Sequence, residues 1–293
     1  MEYQSYFEIA TMLEEIHPAG KAIIRDTTIK IADKAFPNLG YYLLAKLMAT
    51  PRNVQTHRTI RHDAVITTNF DEMLHQGFIR LRNDDSTMRT SLTNPQCITI
   101  SDDSVQLNVI DDYLKNRERP LIYHVHNSQD FNPRNTIRDV SYYTPRVNKA
   151  LRKLIKGRGL LVMGYSGSDE GLMTALIDLV NEGNCQRIYW LCYRGNIPIS
   201  RPFVRLQNAL KNNLMILNCP VPTDIANCPR GCEEGFDSFM WKLLNALSMN
   251  PAFSTCTPKD NGFQNELSSN RIESERIHNT DPINTHPKPV NSE

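Results

Sequence analysis

Five short, nearly continuous apolar runs separated by helical patterns constrain this chain more than any other feature. They are AVITT at 64–68, LIYHV at 121–125, LLVM at 160–163, RIYWLC at 187–192 and LMIL at 214–217. A strand that alternates apolar and polar residues keeps one face wet, whereas a run that is apolar throughout is buried on both faces. Helical periodicities lie between or after these runs, near 71–80, 145–156, 169–181, 202–212 and 235–248. Buried strands alternating with helices predict a three-layer α/β, Rossmann-like fold with a mainly parallel sheet. Residues 97–110 (CITISDDSVQLNVI) read as a small hairpin or edge strands ahead of the second run.

The first sixty residues read as a helical segment. Ser5 and Glu8 have capping-box spacing, and Tyr6, Ile9, Leu13 and Ile16 then share one face before Pro18. A second amphipathic stretch runs from Lys21 to Phe36, and a third starts at Asn38 and stops before Pro51. After Met249 the chain becomes rich in Ser, Thr, Asn and Pro, with two aromatics in the last stretch. Such a segment buries too little apolar area to offset the entropy of ordering it. The expected organisation is a folded domain over 1–250 and a disordered polar tail over 251–293.

Charge and cysteine usage narrow the function. Lys and Arg total 33 against 32 Asp and Glu, a net charge of +1, so bulk attraction to nucleic acid or to an anionic membrane is not expected. No apolar run approaches the roughly 20 residues of a membrane helix, and the start (MEYQSYFEIA) lacks the basic and apolar regions of a secretory signal. Seven thinly spread cysteines favour reduced thiols and a cytoplasmic setting.

In an open parallel sheet, ligands bind beyond the carboxyl ends of the strands. Three of those ends are polar: Thr67-Thr68-Asn69-Phe70-Asp71, His124-Val125-His126-Asn127-Ser128, and Gly164-Tyr165-Ser166-Gly167-Ser168-Asp169-Glu170. Asn69 and Asp71 have the groups to hold a ligand's amide and hydroxyls, or to form Asx turns with their own backbone. His126 has the chemistry of a general base, or of a structural strand-end histidine. The third segment is a glycine-containing turn into a helix. It either receives an oxyanion or is a plain turn, with Ser168 as N-cap and Asp169 and Glu170 complementing the helix dipole. It is not GxGxxG, and GxxxxGK[ST] occurs nowhere in the chain.

Together and in this order, three segments resemble the SIR2-like domain of the sirtuin superfamily, in its divergent, defence-associated branch. They are VITTNFDEML at 65–74, LIYHVHNS at 121–128 and GLLVMGYSGSDEGLMTAL at 159–176; NLGYYLLAKLMA at 38–49 fits the family's helical run. The resemblance implies NAD as substrate or ligand. It implies that Thr67, Thr68, Asn69 and Asp71 line the nicotinamide–ribose side, with Asn69 and His126 catalytic and His126 the base on a ribose hydroxyl. Gly164 and Ser166 would approach the adenosine half, and Asp169 would steady the turn or a ribose. The implied activity is an NAD hydrolase, in anti-phage defence. The alternative is a non-catalytic module binding NAD or ADP-ribose, or a scaffold of a larger assembly. A homo-oligomer or a partner effector or sensor protein would complete either. A protein deacylase is the weaker alternative, because those enzymes carry two CxxC pairs and this sequence has none; no metal site is expected.

Two departures from the family pattern frame the expectations. His126-Asn127 stands where the family has His-Gly, an exchange that is easiest where the backbone needs no positive φ. The family's opening apolar strand and GAG-x-S phosphate loop have no counterpart, Pro18-Ala19-Gly20 being preceded by a helical pattern. The domain is therefore expected to be incomplete at its N-terminal edge.

Overall fold

A computed structural model describes residues 6–34, 36–50, 63–84, 94–99, 105–127, 134, 136–141, 143–193, 196–219 and 235–247. The expected tail, the Ser5 cap and the cysteines at 228 and 232 lie outside them. Three helices come first: α1 (Tyr6–Ile16), α2 (Gly20–Lys34) and α3 (Leu39–Ala49). Then follow β1 (Ala64–Thr67), α4 (Met73–Asp84), β2 (Gln96–Thr99), α5 (Val105–Asn116), β3 (Leu121–His124), α6 (Ile137–Val140) and α7 (Pro145–Ile155). The second half runs β4 (Arg158–Val162), α8 (Glu170–Asn181), β5 (Cys185–Cys192), α9 (Arg201–Leu210), β6 (Leu214–Asn218) and α10 (Gly235–Ala246).

Every strand pairing is parallel, in an α/β, Rossmann-like arrangement. The strands form two three-stranded sheets, β1-β3-β2 and β4-β5-β6, rather than one continuous sheet. Of the two readings of 97–110, the edge strand is found at its start and the hairpin is not, β2 lying at the edge of its sheet. Gln96–Thr99 pairs parallel to β3, and from Val105 the chain is helical. The reason is visible in the pattern: Leu107, Ile110 and Leu114 recur at helical spacing, with Ile110 and Tyr113 buried.

One apolar core serves both sheets. Leu121, Tyr123 and Val125 from the β3 segment meet Ile188 and Trp190 of β5 through α7 and α8, which contribute Leu151, Leu154, Met173 and Leu176. Trp190 anchors it, edge-on to Phe203 at 4.7 Å and tilted against Tyr165 at 5.8 Å. Helix α7 starts cleanly: Thr144 caps it by accepting from the Val147 N–H, and Pro145 takes the first turn, where no N–H is needed.

The helices α3, α4 and α10 form a neighbouring layer with Leu43, Leu47, Phe78, Leu81, Met240 and Leu244 buried. The Gly40 N–H donates to Asp237 Oδ1 at 2.7 Å, tying α10 to the start of α3. Burial pushes the Asp237 carboxyl above its ordinary value, the Gly40 bond opposing.

Gly77 sets the approach of α4 to α3, because a Cβ there would lie 2.9 Å from the carbonyl oxygen of Tyr41. Alanine at a mid-helix glycine gains about 1 kcal/mol of propensity, but forcing two helix backbones apart costs about 1–3 kcal/mol. Gly77→Ala is therefore expected to lower stability by up to about 2 kcal/mol in urea unfolding. An unchanged or raised midpoint would show that the helices can separate at no cost.

Candidate functional site

The polar strand ends converge. β1 runs out at Thr67, whose hydroxyl accepts from the Asn69 N–H at 3.0 Å, while its carbonyl accepts from the Val125 N–H at 3.0 Å. Thr68 is half-buried between them and Asn69 is exposed. Asn69 does not form an Asx turn: its side-chain NH₂ donates to the Tyr41 hydroxyl at 3.1 Å. Asp71 does form one, its Oδ1 accepting from the Met73 N–H at 3.0 Å at the start of α4. Tyr41 is pushed up to about 12, by burial first and by the Asp71 charge second, so its hydroxyl keeps its proton.

At the end of β3, both histidines are buried, at 2% exposure for His124 and 1% for His126. The strand stops at His124, so the strand alternation of β3 does not extend to His126. His124 Nδ1 donates to the Asn69 carbonyl at 3.2 Å. Burial holds this ring below the ordinary histidine value, the Asn69 bond and the Asp71 charge opposing.

His126 Nε2 donates to Asp169 Oδ2 at 2.5 Å, and Asp169 is 0% exposed. The Tyr143 hydroxyl donates to the same oxygen at 3.1 Å. The other oxygen, Oδ1, accepts from the Leu172 N–H at 3.0 Å, which makes Asp169 the N-cap of α8. Ser168, the expected cap, instead pairs its hydroxyl with Ser166 at 2.7 Å. Phe70 and Tyr143 flank the His126 ring at 6.3 Å each. Burial, then the Asp169 charge, push the Tyr143 hydroxyl well above its ordinary value, so it serves as a donor.

The second segment thus touches each of the other two: His124 with Asn69, His126 with Phe70, and His126 with Asp169. Gly164 and Ser166 stand apart on the exposed β4–α8 turn. Gly164 has φ +63° with open space where a Cβ would be. Gly167, at φ +69°, lies under Trp190 and Phe203, and its carbonyl accepts from the Ser200 hydroxyl at 2.6 Å. Tyr41, Tyr143 and Arg134 are site residues that sequence reasoning did not single out. The Arg134 N–H donates to the His126 carbonyl at 2.8 Å, and its guanidinium lies 5.7 Å over the Tyr143 ring. No spacing rule marks any of the three; each is brought in by tertiary packing.

A second group of side chains adjoins the Asn69 side of the site. Glu72, His75 and Cys97 gather where α4 begins beside β2. Burial first, then the Glu72 charge, push the Cys97 thiol up to about 11, Arg119 opposing. The Cys219 thiol donates to the Gly235 carbonyl at 2.8 Å.

With this geometry in place, comparison with known families is decisive on one point. The SIR2-like domain profile matches residues 63–214, from the residue before β1 to the start of β6. This chain belongs to the SIR2-like domain family. The match spans all three polar strand ends, and no curated protein matches the sequence. Among the described residues of this SIR2-like protein, no helix is long and apolar enough to cross a membrane.

The His-Asn departure has a structural cost that the sequence did not show. Asn127 has φ +64°, in the left-handed region, so this backbone does require the conformation that glycine adopts freely. Asparagine is one of the few residues that enters it routinely, which explains how it can stand in for glycine. Asn127→Ala and Asn127→Gly both delete the side chain and differ in the strain a Cβ brings. The alanine variant is expected to be less stable than the glycine variant by about 1–2 kcal/mol in thermal or urea unfolding. Equal stabilities would mean that the turn leaves the left-handed region.

Proposed function

We propose that this SIR2-like protein binds NAD and hydrolyses its nicotinamide–ribose bond, and that it does so in cellular defence. The observation that carries the reading is the buried contact between His126 and Asp169, two residues that come from different polar strand ends. A carboxylate oxygen accepts, so Nε2 carries the ring proton and Nδ1 holds the lone pair that can take another. Asp169 therefore sets the tautomer and orientation of a general base without touching the substrate itself. Asn69 and Asp71, held by Tyr41 and by the start of α4, would line the nicotinamide–ribose side. Gly164 and Ser166, exposed on the β4–α8 turn, would meet the adenosine half.

In the reaction, the bond from ribose to the nicotinamide nitrogen breaks through an oxocarbenium-like state and nicotinamide leaves as a neutral base. Water supplies the new bond to the anomeric carbon, giving ADP-ribose and one proton. His126 Nδ1 would accept a proton from a ribose hydroxyl as positive charge develops on the ring. This requires that the His126 ring become accessible when the dinucleotide binds.

The burial of His126 favours a second reading, a module that binds NAD or ADP-ribose without turnover. Nicotinamide release from NAD, measured with the purified chain, separates the two. Hydrolysis is expected in the wild type. In His126→Ala the rate is expected to fall by at least about 100-fold, the usual contribution of a positioned base. Binding by calorimetry with no release, unchanged in His126→Ala, would establish the binding module instead. Neither binding nor release would overturn both readings.

A further inference from the structure

Beside the Asn69 loop, three side chains of metal-ligating type converge from two elements. Glu72 immediately precedes α4, His75 lies in its first turn and Cys97 is in β2; one ligand atom from each lies within 4.8 Å of the other two. His124, at the end of β3, brings Nε2 to 3.9 Å from Glu72 Oε1. The orientation of that ring is fixed from behind. Its Nδ1 donates to the Asn69 carbonyl, which can only accept, so the neutral ring keeps its lone pair on Nε2. This buried lone pair has no hydrogen-bond partner and faces a carboxylate oxygen, another acceptor. A buried lone pair with no donor is unfavourable, and a cation held between it and the partly exposed Glu72 carboxylate would satisfy it.

We propose that Glu72, His75 and Cys97 bind a zinc ion, with His124 Nε2 facing it from the Glu72 side as the fourth donor. A thiol, an imidazole and a carboxylate form the mixed set that zinc accepts, whereas magnesium and calcium take oxygen ligands. Ordinary zinc bond lengths in a tetrahedron place ligand atoms about 3.3–3.6 Å apart. The Glu72, His75 and Cys97 atoms therefore need to close further around an ion, and His124, which stands outside that group, needs to move toward it to become the fourth donor. The ion itself would draw the proton from the Cys97 thiol, since a coordinating thiol is deprotonated outright. Four donors from the β1–α4 junction, β2 and β3 would then be clipped together directly under the Asn69 backbone. This site is separate in composition and place from the paired CxxC ribbon, and it stands whether or not the protein cleaves NAD.

The test uses the full chain, stripped with chelator and titrated with cobalt(II), then zinc. One equivalent of cobalt is expected to give a thiolate-to-cobalt charge-transfer absorption, which zinc then abolishes. Cys97 is exposed, so Cys97→Ser is expected to keep the wild-type far-UV circular dichroism while losing that absorption. His75→Ala is expected to weaken cobalt binding by at least about tenfold. Absence of the absorption in the wild type overturns the proposal. So does an absorption that survives Cys97→Ser, which would place the metal on other cysteines.

Discussion

The rest of the site depends on one buried carboxylate. Asp169 is fully enclosed, and a charge in that position is tolerated only when its oxygens are satisfied by donors. It meets that demand with three: the His126 ring, the Tyr143 hydroxyl and the Leu172 backbone N–H. The same set of bonds therefore starts helix α8, orients the histidine at the end of β3 and immobilises a tyrosine from the segment before α7. Because these elements also share the core around Trp190, the position of His126 is set by the packing of both sheets.

Around that carboxylate, the parallel topology explains why the site lies where it does. Within each sheet the parallel strands deliver their carboxyl ends to one side, and the His126–Asp169 contact joins the residues that follow β3 to those that follow β4. The Asn69 side is organised by contacts with α3 and with His124, and the Asp169 side by the cap of α8. Directly after His126, Asn127 takes the left-handed conformation. The β3 end thus places one buried ring on each side of Val125, followed by a residue that tolerates positive φ.

Much of the fold was legible in the sequence because short apolar runs separated by helical periodicity leave a direct mark, although of the described strands only β3 is buried along its whole length. AVITT, LIYHV, LLVM, RIYWLC and LMIL each contain or overlap an observed strand, and the helices after them begin within a few residues of their periodic patterns. Residues 105–110 were misread because the strand-like CITI before them, which does form an edge strand, drew Leu107 and Ile110 into the same extended reading although they open a helix. The division into two sheets was not legible, since strand order is set by tertiary pairing rather than by any run. For the site, the three segments could be found, but their mutual contacts could not. Choosing Asp169 over Ser168 as the cap needs the positions of His126 and Tyr143, and Tyr41 and Arg134 carry no motif. The Glu72, His75 and Cys97 cluster escaped for the same reason: its members are scattered over two elements with no ligand spacing to read.

The central claim is that the Asp169 carboxylate fixes the His126 ring with its proton on Nε2, leaving Nδ1 to serve a bound dinucleotide. Long-range nitrogen–proton correlation spectra of isotope-labelled histidines report the tautomer and environment of each ring directly. The account predicts that His126 is an Nε2–H tautomer in the wild type, that Asp169→Asn disturbs this signal, and that adding NAD shifts the Nδ1 resonance. A His126 ring carrying its proton on Nδ1, or one whose signals do not respond to saturating NAD, would contradict it.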